Sequence, residues 1–272
     1  MYKEYWKLNA RPFHNTPDTK FFYQSSQHTE ALMKLRYAIT ENMGSAMLTG
    51  AYGCGKTLLA RVLMQQLGKS HIAKYCTARP GMHAEDVLQS VLNSLSEGCA
   101  QAERAEPRAE CMLEGIDKVV RENRKDGKHT VLVMDEAHMF DKHEALETIR
   151  LLLNFQSNDE FLLSLILLGH IELADRVAGL KQLAQRVPIM ATVNHFKAAD
   201  TAAYIKSRLT IVGCAQPLFD EEAISFIHRN TGGIPRRINT LCDVSLAMGF
   251  AQKAEQVSTT LIVDAIEKFG VA

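Results

Sequence analysis

The sequence predicts an α/β protein in which a mostly parallel sheet is covered by helices and is followed by a small all-helical domain. Short apolar segments alternate with segments of helical periodicity over residues 1–194. The apolar segment at 161–168 is continuous, which is typical of a strand buried on both faces. After His195 only helical periodicity remains. The predicted domains are therefore 1–194 and 195–272.

Composition and charge exclude several classes of protein. With 272 residues, 46% of them hydrophobic and 23% charged, the chain is expected to form about two globular domains and no extended disorder. Basic and acidic residues both total 31, so the formal net charge of zero predicts no large non-specific nucleic-acid surface, although a local basic patch stays open. No apolar stretch reaches the roughly 18 residues of a membrane span, and the N-terminus lacks a signal-peptide pattern. We therefore expect a cytoplasmic protein with reduced cysteines.

The elements follow from local patterns, beginning with an aromatic, turn-rich segment over residues 1–30, where Pro12 and Pro17 argue against a continuous helix. Apolar clusters then predict strands at 43–48, 71–75, 131–134, 161–168 and 189–193. Apolar residues at helical spacing predict helices at 29–42, 57–67, 84–95, 109–125 and 144–155. A polar stretch with Gly98 and Pro107 separates the third helix from the fourth. This alternation of strands and helices favours parallel pairing.

The tail after His195 carries its own helix signals. Asp220 precedes an apolar-periodic segment and is predicted to be a helix N-cap. Pro235 stands where a further helix begins, a position that tolerates proline because its missing N–H is not needed there. The tail is therefore predicted to be a bundle of helices without strands.

The strongest motif in the chain is a phosphate-binding P-loop of the form G-x-x-x-x-G-K-[ST], with a predicted strand before it and a predicted helix after it. Its residues are Gly50, Ala51, Tyr52, Gly53, Cys54, Gly55, Lys56 and Thr57. The glycines let backbone N–H groups surround a phosphate, and the following helix directs its positive end at the same anion. Lys56 is expected to meet the β- and γ-phosphates, and the Thr57 hydroxyl to hold Mg²⁺.

The second motif is a Walker B element, an apolar strand that ends in the acids Asp135 and Glu136. Asp135 is expected to hold Mg²⁺ through water, and Glu136 to orient or deprotonate the attacking water. The position downstream of a P-loop favours this function over a solvated or helix-capping acid pair. The letters 135–138 also spell the DEAH box of helicases, but the chain has no companion helicase motifs, so we treat this as coincidence.

Two arginines are candidates for contacts with the nucleotide. Arg236, in the tail segment 232–237, follows a Gly-x-Pro pattern at a helix start, from which its side chain would point back at the nucleotide. Arg186 lies between the last two predicted strands, where it would reach the γ-phosphate of a neighbouring subunit. For both, the alternative is an ordinary surface arginine.

Together, the P-loop, the acid pair and the Gly-x-Pro-Arg tail resemble an AAA+ ATPase. The segments 5–23, 169–173 and 204–209 are similar to the ExeA/GspA-type secretion ATPases and their pilus-biogenesis relatives. The resemblance covers essentially the whole chain. It implies that Lys56, Thr57, Asp135 and Glu136 are the ATPase residues. It further implies that Arg236 is the sensor-2 arginine, Arg186 an arginine finger, and His170 the residue at a sensor-1 position where the family usually carries glutamine.

The resemblance implies an ATP hydrolase with ATP and Mg²⁺ as cofactors, acting as a ring or filament of identical subunits on an envelope protein. Longer members add a membrane span and a peptidoglycan-binding domain, so this chain resembles a short, soluble form that is peripheral at the inner membrane through a partner. The less favoured alternative is a DNA-associated regulator of the transposition type. The basic run 118–128 would suit DNA but also suits a solvated helix face. A small-molecule kinase is a third, weaker hypothesis.

The Walker motifs supply no apolar surface for an adenine ring. Phe13, Pro17 and Phe21 are close enough in sequence to line such a slot. The alternative is that these residues cover the outside of the sheet.

Overall fold

The computed structural model describes residues 2–96, 108–140, 143–157, 160–214 and 216–271. Within them the strands are β1 (Ser45–Gly50), β2 (His71–Thr77), β3 (His129–Asp135), β4 (Gln156–Ser157), β5 (Glu160–Phe161), β6 (Leu163–Gly169) and β7 (Ile189–Val193). The first eight α-helices are α1 (Tyr2–Tyr5), α2 (Ser26–Thr40), α3 (Lys56–Gln66), α4 (Ala84–Leu95), α5 (Ala109–Lys125), α6 (His143–Leu152), α7 (Glu172–Gly179) and α8 (Lys181–Ala184). They are followed by α9 (Ala198–Ile211), α10 (Glu221–Thr231), α11 (Pro235–Ala251) and α12 (Thr259–Phe269). The predicted linker with Gly98 and Pro107 lies outside the described residues.

The described chain divides into two compact units. The helical unit contains the described residues of 1–28, 51–58 and 194–272, and the sheet unit contains those of 29–50 and 59–193. The unit boundary after Val193 lies next to the predicted domain boundary at 194. The N-terminal residues and most of the P-loop, however, are grouped with the tail and not with the sheet.

The sheet unit is built on five parallel strands in the order β2-β3-β6-β1-β7. The strands β1 and β6 are buried along their whole length, and β3 is buried from Thr130 onward. The edge strand β7 alternates instead between exposed and buried residues. A continuous apolar sequence is therefore found where a strand has neighbours on both sides and a core on both faces. This architecture confirms the predicted fold class.

Helices α4 and α5 pack against each other and against β2 and β3, and their limits agree with the predicted ones at both ends. The prediction was wrong near α6, which ends at Leu152 and not at residue 155. There β4 and β5 form a short antiparallel pair, so the predicted strand 161–168 divides into β5 and β6. The periodicity of the sequence does not reveal the pairing of these few residues. The short helices α7 and α8 were not predicted.

The helical unit contains α9 to α12 and an N-terminal strap, which we define as residues 2–28. The predicted helix starts are confirmed, because the Asp220 carboxylate accepts from the Ala223 N–H at 2.6 Å and Pro235 occupies the first turn of α11. The strap supplies buried aromatic side chains to the core of this unit. The Trp6 indole N–H, for example, donates to the Leu246 carbonyl at 2.9 Å.

The packing of the aromatic residues in the strap contradicts the predicted adenine slot. Phe13 is 1% exposed and meets the Phe219 ring edge-on, with ring centroids 6.0 Å apart. Phe21 is also buried and lies under the guanidinium of Arg208, 4.9 Å from it. Both rings belong to the core of the helical unit, so they do not form an open adenine slot.

Among the described residues, no helix combines the length and apolar character needed to cross a membrane.

If Phe13 is part of this core, Phe13→Ala should lower the free energy of unfolding by about 3 kcal/mol or more, because it leaves a cavity among packed rings. Phe269→Ala is the matched control, since the ring of Phe269 is 58% exposed and its loss should cost less than about 1 kcal/mol. Denaturant unfolding followed by circular dichroism measures both values. Equal stability of the two variants would contradict the placement of Phe13.

Candidate nucleotide site

The P-loop leaves β1 after Gly50 and ends in the first turn of α3. Gly53 and Gly55 have φ angles of +78° and +90°, which L side chains rarely adopt. A Cβ atom on Gly53 would also lie 3.0 Å from the Arg236 Cβ and from the Ile234 Cγ2. Both glycines are therefore required by the backbone shape of the loop, and Gly53 also by the closeness of α11.

Three carbonyl groups of the P-loop accept hydrogen bonds, and their donors are Lys56, Arg236 and His28. The Ala51 carbonyl accepts from the Lys56 ammonium at 3.0 Å. The Gly53 carbonyl accepts from the backbone N–H of Arg236 at 3.3 Å, and the Cys54 carbonyl from the imidazole Nε2 of His28 at 2.9 Å. In a trans peptide the carbonyl and the N–H of the following residue point in opposite directions. Each of these contacts therefore directs the N–H of the following residue away from the hydrogen-bond donor.

The side chains of the P-loop differ sharply in exposure. Cys54 is fully buried, and burial raises the pKa of its thiol, so the cysteine is an inert packing residue. The Tyr52 ring is 57% exposed and lies 5.9 Å from the Lys56 ammonium. Lys56 itself is buried within the loop.

Arg236 lies in the first turn of α11, directly against the P-loop. Its side chain is exposed, while its carbonyl accepts from the Thr240 hydroxyl at 3.0 Å and from the Asn15 amide at 3.4 Å. The helix start is thus held beside Gly53 by backbone contacts, which leaves the guanidinium free to turn toward a phosphate. The assigned sensor-2 role stays a prediction.

In the sheet unit, Gly50, Asp135 and Gly169 end the adjacent parallel strands β1, β3 and β6 and therefore lie at one edge of the sheet. Asp135 is 2% exposed. One of its carboxylate oxygens accepts from the Tyr75 hydroxyl at 2.5 Å and the other from the Glu136 N–H at 2.8 Å. These two bonds fix the orientation of a buried acid at the edge where ligands of open α/β sheets bind.

Glu136 adopts the left-handed conformation, with a φ of +54°, which is uncommon for a residue with a side chain. Its side chain is 40% exposed, and one carboxylate oxygen lies 3.4 Å from the Nδ1 atom of His138. That same Nδ1 accepts from the backbone N–H of His170 at 3.2 Å, so it carries a lone pair there and does not donate to Glu136. The general base that we predict therefore stands beside the imidazole without a hydrogen bond from it.

The sequence analysis missed the groups that hold this edge together. The Arg176 guanidinium donates to the carbonyls of His138 at 2.7 Å and of Phe140 at 3.0 Å, which braces the turn after β3. His138 is the last of the DEAH letters, a match that the sequence analysis treats as coincidence. No local pattern in the sequence marks Tyr75 as a partner of Asp135. His170, at the position where the family usually carries glutamine, stands directly after β6 at this edge.

Arg186 is half-buried in the sheet unit, and both its guanidinium and its backbone carbonyl are hydrogen-bonded. Its guanidinium donates to the Leu153 carbonyl at 3.0 Å, and its own carbonyl accepts from the Ser45 hydroxyl at 2.5 Å. An arginine finger needs a guanidinium that extends toward another subunit. The finger role therefore stays a prediction, and it requires the contact with Leu153 to be released.

The chemistry of these groups fits a nucleoside triphosphate with Mg²⁺. Thr57 and Asp135 offer hard oxygen ligands of the kind that Mg²⁺ prefers. In the described part of the chain, no three His, Cys, Asp or Glu side chains gather as a metal-binding cluster.

The profile of the AAA domain family matches residues 39–177, which include the P-loop and the Walker B strand. The chain belongs to the AAA family. It is also 33% identical, over 260 residues, to General secretion pathway protein A of Aeromonas hydrophila. That alignment covers 94% of this chain but 46% of the relative, so the chain spans about half of the relative's length.

Solved structures of low sequence identity share the fold. The ORC2 protein of Aeropyrum pernix superposes with a TM-score of 0.71 at 15% identity, covering 92% of this chain and 71% of that chain. RuvB of Thermotoga maritima does so with a TM-score of 0.60 at 18% identity, covering 91% and 70%. These findings confirm the predicted fold class and the resemblance to the ExeA/GspA-type ATPases, while hydrolysis of ATP by this chain stays a prediction. The individual site residues stay predictions.

The roles of Lys56 and Glu136 can be separated by two substitutions. Lys56→Ala should weaken ATP binding, because the side-chain cation of the P-loop is lost. Glu136→Gln should keep binding while turnover falls by roughly 100-fold or more, since a positioned base is removed. Titration with ATP–Mg and phosphate release measure the two effects.

An exposed lysine gives the control for these variants. Lys34 pairs with Glu30 on α2, and Lys34→Ala should leave both binding and turnover unchanged. Wild-type ATP affinity in Lys56→Ala would overturn the P-loop assignment. Unchanged turnover in Glu136→Gln would show that another group activates the water.

Proposed function

We propose that this chain is an AAA+ ATPase that binds and hydrolyses ATP–Mg²⁺ as an oligomer of identical subunits and drives the assembly of a secretion or pilus machine. The observation that carries this proposal is the 33% identity to General secretion pathway protein A over 94% of the chain. That similarity extends through the N-terminal strap and the helical tail, beyond the part shared by the AAA domain family as a whole.

The residues of the chain divide the chemistry among them. The N–H groups of the P-loop and the Lys56 ammonium bind the phosphates, and Arg236 adds a cation from the start of α11. Glu136 accepts a proton from the attacking water. Asp135, held by Tyr75 and by its own neighbour, orients the water shell around the metal. When bound with Thr57 as a ligand, Mg²⁺ supplies positive charge where negative charge develops on the phosphates.

A partner in the cell envelope follows from the same relative. We propose that the chain is cytoplasmic and is peripheral at the inner membrane through such a partner. The assigned domain limits of 1–194 and 195–272 belong to this proposal, with the second domain acting as the lid.

The alternative is a DNA-associated AAA+ regulator. It is favoured by one of the similar folds, the ORC1 protein of Aeropyrum pernix, which was solved in complex with DNA at 14% identity to this chain. The ion pairs on the basic face of α5 argue against DNA as the partner. Arg121 pairs with Asp117 at 2.6 Å, and Arg124 pairs with Glu160, so two of the basic side chains already have acidic partners. We therefore rank DNA below an envelope protein as the partner.

ATP turnover with different partners tests the proposal. Membrane vesicles from the cells that produce the protein should raise phosphate release several-fold, whereas duplex DNA should leave it unchanged. Vesicles stripped with protease are the matched control and should lose the effect, because the partner is a protein. Glu136→Gln gives the background rate. Stimulation by DNA and not by vesicles would favour the alternative function, and no turnover under any condition would contradict the ATPase itself.

The oligomeric active site can be tested by mixing two inactive variants. Arg186→Ala and Lys56→Ala should each be nearly inactive, because one lacks the cation in trans and the other the cation of the P-loop. In a mixture, some interfaces would combine an intact P-loop with an intact Arg186. Turnover should then recover in part and rise with protein concentration.

The contact of Arg186 with Leu153 provides the competing outcome. If this contact is the only role of Arg186, Arg186→Ala should lower the free energy of unfolding, and the mixture should not recover activity. Thermal unfolding of the variant and turnover of the mixture together decide between the two roles.

A further inference from the structure

We propose that His28 is a positioning residue for the phosphate cradle: its imidazole holds the Cys54 carbonyl and thereby orients the N–H of Gly55 toward a bound phosphate. The inference rests on the proposed nucleotide-binding function and adds a specific residue of the N-terminal strap to it. All of the groups involved belong to the helical unit.

The contacts form a buried relay of three residues. The Nε2 atom of His28 lies 2.9 Å from the Cys54 carbonyl oxygen. On the other side of the ring, Nδ1 lies 2.7 Å from the Ser25 hydroxyl, which also accepts from the backbone N–H of His28 at 3.3 Å. Ser25, His28 and Cys54 are 1%, 3% and 0% exposed, so water does not compete for these bonds.

The chemistry of the partners fixes the tautomer of the ring. A carbonyl oxygen only accepts, so Nε2 must carry the proton. Nδ1 then accepts from the Ser25 hydroxyl, which leaves every polar atom of this relay satisfied. Burial also lowers the pKa of His28, which favours the neutral form that this arrangement requires.

The aromatic neighbours of His28 hold the ring in place. The Phe22 ring meets it edge-on with centroids 6.1 Å apart, and the Phe196 ring lies at 5.6 Å and is tilted by 60°. The donor is thus fixed by the strap on one side and by the segment before α9 on the other. Because the ring is already held, His28 loses little further side-chain conformational entropy when it donates to the Cys54 carbonyl.

The orientation of the Cys54 carbonyl determines where the next N–H points. The peptide between Cys54 and Gly55 is planar and trans, so its N–H is directed away from its carbonyl. With the carbonyl turned to His28, the Gly55 N–H faces the opposite side, which is the concave side of a P-loop. Gly55 lies close to the ring, since a Cβ atom there would be 3.5 Å from the Nε2 of His28.

Two substitutions separate the donor from the ring. His28→Phe keeps an aromatic ring of similar size but removes the N–H donor. His28→Gln keeps an N–H donor at a comparable distance from the backbone. If the donor positions the cradle, His28→Phe should weaken the Kd of ATP–Mg²⁺ by about tenfold, as expected for one buried hydrogen bond, and His28→Gln should stay within about threefold of wild type.

Inorganic tripolyphosphate is the second probe, because it carries the phosphates without adenosine. Its Kd should weaken in His28→Phe by the same factor as that of ATP, while the unfolding midpoint without ligand serves as the stability measure. Tyr204→Phe is the matched control. It removes a buried hydrogen bond to Asn239 in the same unit without a contact to the P-loop, so its phosphate affinity should equal that of wild type.

The outcomes distinguish this inference from the function on which it rests. Wild-type protein that binds neither ATP nor tripolyphosphate would overturn the proposed function together with the role of His28. Wild-type binding with equal affinities in the Phe and Gln variants would overturn the role of His28 alone. If His28→Phe fails to fold, the comparison of His28→Gln with Ser25→Ala decides: loss of affinity in a folded His28→Gln protein contradicts the donor role, whereas retained affinity there with a weakened Ser25→Ala supports it.

Discussion

A loop that binds phosphate through its N–H groups must turn its carbonyls outward, and each outward carbonyl that is shielded from water needs a donor. This constraint explains much of how the helical unit is built. The Gly53 carbonyl takes its donor from the start of α11 and the Cys54 carbonyl from His28. The loop is supported by residues from distant parts of the chain, since His28 lies 26 positions before Cys54 and Arg236 lies 183 positions after Gly53.

The supports of the loop depend in turn on the core of the helical unit. Arg208 is buried there, donates to the Pro12 carbonyl at 2.7 Å, and lies between the rings of Phe21 and Tyr204. Burial lowers the pKa of this arginine, yet the carbonyl and the ring faces compensate for much of its lost hydration. A cation in such a place fastens the strap to α9. Removal of its carbonyl partners would leave a buried charge unpaired, which is far more destabilising than the loss of a surface contact.

At the edge of the sheet, buried polar groups also need hydrogen-bond partners, but other residues provide them. Buried acids need hydrogen-bond donors, and Asp135 has Tyr75 and the Glu136 N–H in this role. Glu136, by contrast, stands beside an imidazole nitrogen that already accepts from His170. Asp135 is thus held by two donors, whereas the more exposed Glu136 receives no hydrogen bond from its imidazole neighbour, a difference that suits the two roles we propose for these acids.

The sequence by itself determined the alternation of strands and helices, the limits of α4, α5 and β7, the P-loop and the acid pair after β3. These features depend on local signals, since periodicity, helix starts and the residue types of a motif are all read within a few positions. Only the tertiary structure decided that the strap belongs to the helical unit, that Arg186 is tied to Leu153, and that His28 reaches the P-loop. The contact of Arg208 with Pro12 joins residues 196 positions apart. Such contacts depend on packing between distant segments, which leaves no periodic trace in the sequence.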